Sequence, residues 1–160
     1  MTSNLATKLT GTEEEVPAAV YSGMSNNSPI NILYCDKNLN IMYANPKSIE
    51  TLAKISQYLP VPVNQILGSN IDIFHKNPAH QRRMLADPRN FPHKTIIELG
   101  PEKLDLHVSA IYDSAGTHIG NMATWDIVTE KVALEERQAK MDSLVFLSLI
   151  HISEPTRLGM

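Results

Sequence analysis

Apolar and polar positions fall into two kinds of repeat along this chain. "INILYCD" (30–36) and "NIMYAN" (40–45) are short β-rich runs joined by Lys37, Asn38 and Leu39, the pattern of a hairpin with an Asp/Asn border. "NPKSIETLAKI" follows, with Asn45 as N-cap and Pro46 at the first helical position. Ile49, Leu52 and Ala53 recur there at helical spacing and predict one buried face. Residues 57–92 are irregular and proline-rich, which fits short helical pieces, one of them starting near Pro78.

Three strand-like runs come next. "HKTIIELG" and "EKLDLHVSAIYD" meet at a tight Gly100–Pro101 turn, and "SAG" leads into "THIGNMATWDIVTE". Strict alternation puts Leu104, Leu106, Val108 and Ala110 on one face of the middle run. In the last run Ile119, Ala123, Trp125 and Ile127 share a face, with Asn121 as its polar exception. Gly120 marks a bulge or the close approach of another group. Met42, Met84 and Met122 are expected in the core. Two strands, a helical middle and three strands predict an α+β domain, a five-stranded antiparallel sheet with short helices gathered on one face.

The flanks differ in character. Residues 1–27 are polar and read as a disordered or partly helical tail, with a short helix possible at "VPAAVYSGM"; the folded domain is expected over 28–130. Residues 131–144 have helical composition, and Ile127, Leu134 and Met141 recur every seven residues, too few heptads to assert a coiled coil. Residues 145–160 turn apolar and then reach Pro155. They resemble translated sequencing-adaptor sequence and are expected to be foreign, not to continue the helix.

Composition narrows the chemistry. A net charge of -3 gives no field for a polyanion, so nucleic acid is not expected as a partner. One cysteine, Cys35, excludes an internal disulfide and Cys-rich zinc or iron–sulfur sites. No leader-like apolar stretch and no run long enough to span a bilayer is visible, so a cytoplasmic location is expected. No nucleophile–base pairing, acidic metal cluster or phosphate loop is visible either, so no enzymatic activity is expected.

The segment "NIDIFHKNPAHQRRML" (70–85) carries the chemistry that remains. His75 and His80 stand five apart around Pro78, followed by Arg82 and Arg83. Taken alone, this is a metal site, a catalytic pair, an anion patch or a polar turn. His75 follows Ile71, Ile73 and Phe74, and a neutral imidazole there is a good metal ligand. His80 near a helix start is equally a cap, and Lys76, Arg82 and Arg83 are either partners for an anion or a solvated face. The Trp125 indole N–H is a donor that requires an acceptor when buried, and the plain reading is a core tryptophan bonded to a carbonyl.

With "ANPKSIE" after the second strand and "WDIVTEK" closing the fifth, the order of elements resembles a PAS domain. Asp126 and Thr129 have two residues between them, where the usual ending has one. "GSNIDIFHKNPAHQRRML" is similar to the corresponding part of haem-binding PAS sensors in soluble bacterial methyl-accepting chemoreceptors. That resemblance implies b-type haem with His75 as axial iron ligand, and Leu106 and Trp125 beside a diatomic gas, oxygen first among candidates. It also implies Lys76 and His80 as further cofactor contacts, and homodimerisation through the C-terminal helix toward an output region. Flavin is not expected, because Cys35 lies outside the helix motif that flavin-binding light sensors use. The rival reading is a cofactor-free PAS module that dimerises and relays conformation.

Overall fold

The computed structural model describes residues 16–152. Helix α1 (Ala18–Asn26) precedes β1 (Asn31–Asp36), β2 (Ile41–Ala44) and α2 (Pro46–Lys54). Single 3-10 turns at 56–58, 63–65 and 71–74 lead to α3 (Pro78–Ala86), and another at 88–90 leads to the last three strands. These are β3 (His93–Leu99), β4 (Glu102–Tyr112) and β5 (His118–Ile127), and α4 (Thr129–Ile152) follows. The strands form one antiparallel sheet in the order β2-β1-β5-β4-β3, the α+β architecture expected. The chain's first and last hairpins therefore meet at the centre, along β1 and β5.

Each local signal has a physical cause. Asn45 caps α2 by accepting from the Ser48 N–H at 3.0 Å, and Pro46 fills the first turn, where no N–H is needed. Asn70 and Asn77 cap the 71–74 turn and α3 through Asp72 and His80 N–H groups. Gly120 is opposite Asp36 in the β1–β5 ladder, where a Cβ would lie 2.3 Å from the Cys35 carbonyl and 2.5 Å from the Tyr34 hydroxyl. Only glycine fits there. The 37–39 turn holds Leu39 at φ 66° with its side chain buried. A leucine in this left-handed region costs about 1–2 kcal/mol, opposed by burial and by Asp36, whose Oδ1 accepts from the Asn38 and Asn40 N–H groups.

The core lies between the sheet and the irregular middle, built on Ile41, Leu52, Ile55, Ile66, Leu99, Leu104 and Trp125. Burying each such side chain contributes about 1.5–3 kcal/mol. Three expectations need correction. Helix α2 buries Ser48 and Thr51 beside Leu52, while Ala53 is exposed. Its inner face is polar because it meets backbone and side-chain groups of β1, described below. Met42 is 58 % exposed, at the β1–β2 register shift, whereas Met84 and Met122 are half-buried. Helix α4 also runs unbroken through 145–152, a stretch with no proline or glycine to interrupt it. The expectations for residues 1–15 and 153–160 lie outside the described residues.

Candidate functional site

The concave inner face of the sheet and the 71–85 segment enclose an apolar cavity of about 120 Å³. Leu33, Ile71, Phe74, Met84, Ile97 and Val108 give it a hydrocarbon wall. His75, Leu106 and Trp125, far apart in sequence, all line it. Lys76 and His80 do not; both are exposed, and His80 contributes its backbone N–H to the Asn77 cap. Arg82 turns back to Asp72 through Nε at 3.1 Å and a close Nη2 contact, and Arg83 is exposed.

His75 follows the 71–74 turn in extended backbone, which directs it off the end of that turn. Its ring has no hydrogen-bond partner among the described residues. Burial pushes its pKa below the ordinary histidine range, opposed in part by the Asp72 carboxylate. The imidazole is thus neutral at pH 7, with a ring lone pair free. Among the described residues no group of three or more His, Cys, Asp or Glu side chains could hold a bare metal ion. A lone imidazole on a hydrocarbon-walled cavity suits iron that brings its other ligands in a macrocycle. The donor set therefore fits haem, and the lining combines strand residues with the 71–74 turn and the short helix α3.

Trp125 is 5 % exposed, and its indole N–H donates to Ser48 Oγ at 3.1 Å. Ser48 in turn donates to the Ile32 carbonyl at 3.0 Å. Next to it, Asn31 Nδ2 donates to the Trp125 carbonyl at 3.0 Å, and Thr51 Oγ1 is 2.7 Å from Asn31 Oδ1. This seam explains the polar inner face of α2. The acceptor for Trp125 is therefore a hydroxyl on a neighbouring helix, not a carbonyl of the core. Sequence spacing gave Ser48 no role, because a serine three residues past an N-cap reads as helix surface.

Cys35 is half-buried on the cavity wall, its thiol pushed above the usual range by burial. Asn121, the polar exception in β5, is 2 % exposed and also faces the cavity.

No family model matches the chain. A solved structure of the Aer2 receptor from Vibrio cholerae, described as a dual PAS–haem oxygen sensor, superposes with a TM-score of 0.58 at 33% identity, over 62% of this chain and 95% of that one. The chain belongs to the PAS family. Two more distant PAS-fold structures share the fold alone. An RNA-binding light-oxygen-voltage receptor has a TM-score of 0.58 at 17% identity, covering 83% of this chain and 40% of that one. The PAS domain of Bordetella pertussis BvgS has 0.51 at 16%, covering 78% and 96%. The methyl-accepting chemotaxis protein McpB of Pseudomonas aeruginosa is 34% identical over 129 residues, 78% of this chain. The chain spans about a fifth (19%) of McpB's length. This PAS domain is thus related to chemoreceptor sensors. No helix among its described residues is long and apolar enough to cross a membrane.

Proposed function

We propose that this PAS domain is a haem-binding gas sensor, and that His75 supplies the protein's ligand to the iron. The observation carrying this reading is the neutral, hydrogen-bond-free imidazole on an apolar cavity that Leu106 and Trp125 also line. Haem, when bound, supplies an iron site for a diatomic gas, oxygen being favoured by the likeness to the Vibrio cholerae sensor. Leu106 keeps the space beside it apolar. Trp125 is the strong donor that can reach an acceptor in the cavity, but it must first give up Ser48. The two acceptors compete for one proton, so occupancy of the cavity is coupled to the α2 contact.

The output route is short. Trp125 lies four residues before α4 in the same strand. The root of α4 is pinned to β4: the Val128 N–H donates to the Lys103 carbonyl at 2.8 Å, and the Lys103 N–H to Thr129 Oγ1 at 3.0 Å. Thr129 also donates to Glu102, and Lys103 pairs with Glu136 at 3.7 Å. A shift of β5 therefore bears on the helix root. Leu134, Met141 and Leu144 are about 60 % exposed on α4 and offer an apolar stripe to a second copy, so a homodimer through this helix passes the signal to a chemoreceptor-like output.

Titrating the purified full chain with haemin tests the reading. A Soret band that saturates at one equivalent supports it; absorbance that rises without saturation favours the cofactor-free relay module. In the loaded protein, Trp125→Phe is expected to weaken oxygen binding by about tenfold, the value of one buried hydrogen bond. Ser48→Ala removes the competing acceptor, and oxygen dissociation measured by flow spectroscopy should slow. Equal rates in both variants and wild type would remove Trp125 from the mechanism.

A further inference from the structure

A second, polar groove of about 650 Å³ opens beside the apolar cavity, between the 37–39 turn, α3 and the start of β5. Lys37, Arg82 and His118 line it, and Leu85 and Asn121 are walls of both spaces. We propose that this groove receives the carboxylate end of the molecule whose apolar body fills the cavity. This inference rests on the haem reading, under which the groove takes the propionate edge of the porphyrin.

Three observations carry it. The first is the shared wall: a ligand too long for the cavity can leave it past Asn121 and Leu85. The second is Asn121 itself, a buried amide on an otherwise apolar strand face. His118 Nε2 donates to its Oδ1 at 2.8 Å. That leaves its amide N–H groups with at most the Cys35 sulfur, a weak acceptor that itself donates to the Asn121 backbone carbonyl at 3.6 Å. A buried donor so placed is stabilised by an incoming oxygen. The third is charge. Lys37 is exposed and has no ion pair among the described residues, and Arg82 spends only Nε and Nη2 on Asp72. Among the described residues no Asp or Glu side chain lines the groove, although Asp72 pairs with Arg82. The groove is therefore a donor-rich exit from a hydrocarbon chamber, with Lys37 as its cation outside any ion pair among the described residues. It moves the acid-binding role away from Lys76 and His80, neither of which lines either space.

The full chain and its Lys37→Glu and Asn121→Ala variants are loaded with haemin or with its dimethyl ester, which lacks free carboxylates. Loss to excess apomyoglobin is then followed. With haemin, Lys37→Glu should release about tenfold faster than wild type, as for one charge-assisted hydrogen bond, and Asn121→Ala should also be faster; with the ester, all three should match. Release of haemin at the wild-type rate from both variants overturns the proposal, as does an equal acceleration with the ester. Absence of haemin uptake by wild type defeats the haem reading separately, and a fluorescent long-chain fatty acid and its methyl ester then decide about the groove. Preference for the acid that Lys37→Glu abolishes upholds it, and equal binding of acid and ester overturns it.

Discussion

His75→Ala is expected to lower haem affinity by more than about 100-fold, since even partners that merely orient a metal ligand are worth 10–100-fold. The loss should be one of coordination, not of fold. His75 is half-buried, its ring has no hydrogen-bond partner among the described residues, and its removal leaves no buried group unsatisfied. The far-ultraviolet circular dichroism and urea midpoint of the cofactor-free variant should therefore match wild type. The hydrocarbon wall remains, so weak uptake of haemin by burial alone persists. His75→Gly with added imidazole should recover the wild-type spectrum, because the small molecule can occupy the vacated space. Tight binding by His75→Ala, with an unchanged spectrum, would assign the iron to another residue.

Asn45→Ala is expected to be the most destabilising single change on the polar side of the core. Asn45 is fully buried and works in four directions. Oδ1 accepts from the Ile32 N–H at 2.9 Å and the Ser48 N–H at 3.0 Å; Nδ2 donates to the carbonyls of Ile30 at 2.8 Å and Ser25 at 3.1 Å. One amide thus ties α1, β1 and α2 together. Alanine strands these backbone groups away from water at about 1–3 kcal/mol each, not additively, so a loss of about 3–5 kcal/mol is expected. That is a large share of the ~5–15 kcal/mol that keeps an ordinary domain folded. Asn45→Asp keeps the acceptor and loses the donors, and should fall between. Urea unfolding measures the series, and a midpoint for Asn45→Ala within error of wild type would contradict it.

The two substitutions mark what could be read from sequence and what could not. Strand alternation and the Asn45–Pro46 cap are local, so they were legible: each depends on one residue and its neighbours in the chain. Gly120 was legible only as a glycine inside a strand, since the Cys35 carbonyl and Tyr34 hydroxyl that require it lie on β1. Asn45's other three bonds were not, because Ser25, Ile30 and Ile32 reach it only after the first hairpin closes. The same holds across the sheet. His75, Leu106 and Trp125 were singled out by resemblance, and the fold brings all three to one cavity. Their partners escaped notice. Ser48 is separated from Trp125 by 77 positions, and nothing in a helix's third residue announces an indole above it. Lys76 and His80 were attractive by proximity to His75 in sequence, yet the cap at Asn77 and the start of α3 turn them outward. Asn121 stood out as a polar residue in an apolar alternation. That is the kind of exception a ligand explains, although the groove beside it is completed by Lys37 of the 37–39 turn and Arg82 of α3.

Resonance Raman spectroscopy of the reduced, gas-free, haem-loaded protein bears most directly on the imidazole–iron bond. An iron–histidine stretching band in wild type that is missing from His75→Ala, and that returns at an imidazole-shifted position when imidazole is added to His75→Gly, is the predicted result. The same band at the same position in His75→Ala would contradict the assignment of His75 as the iron's protein ligand.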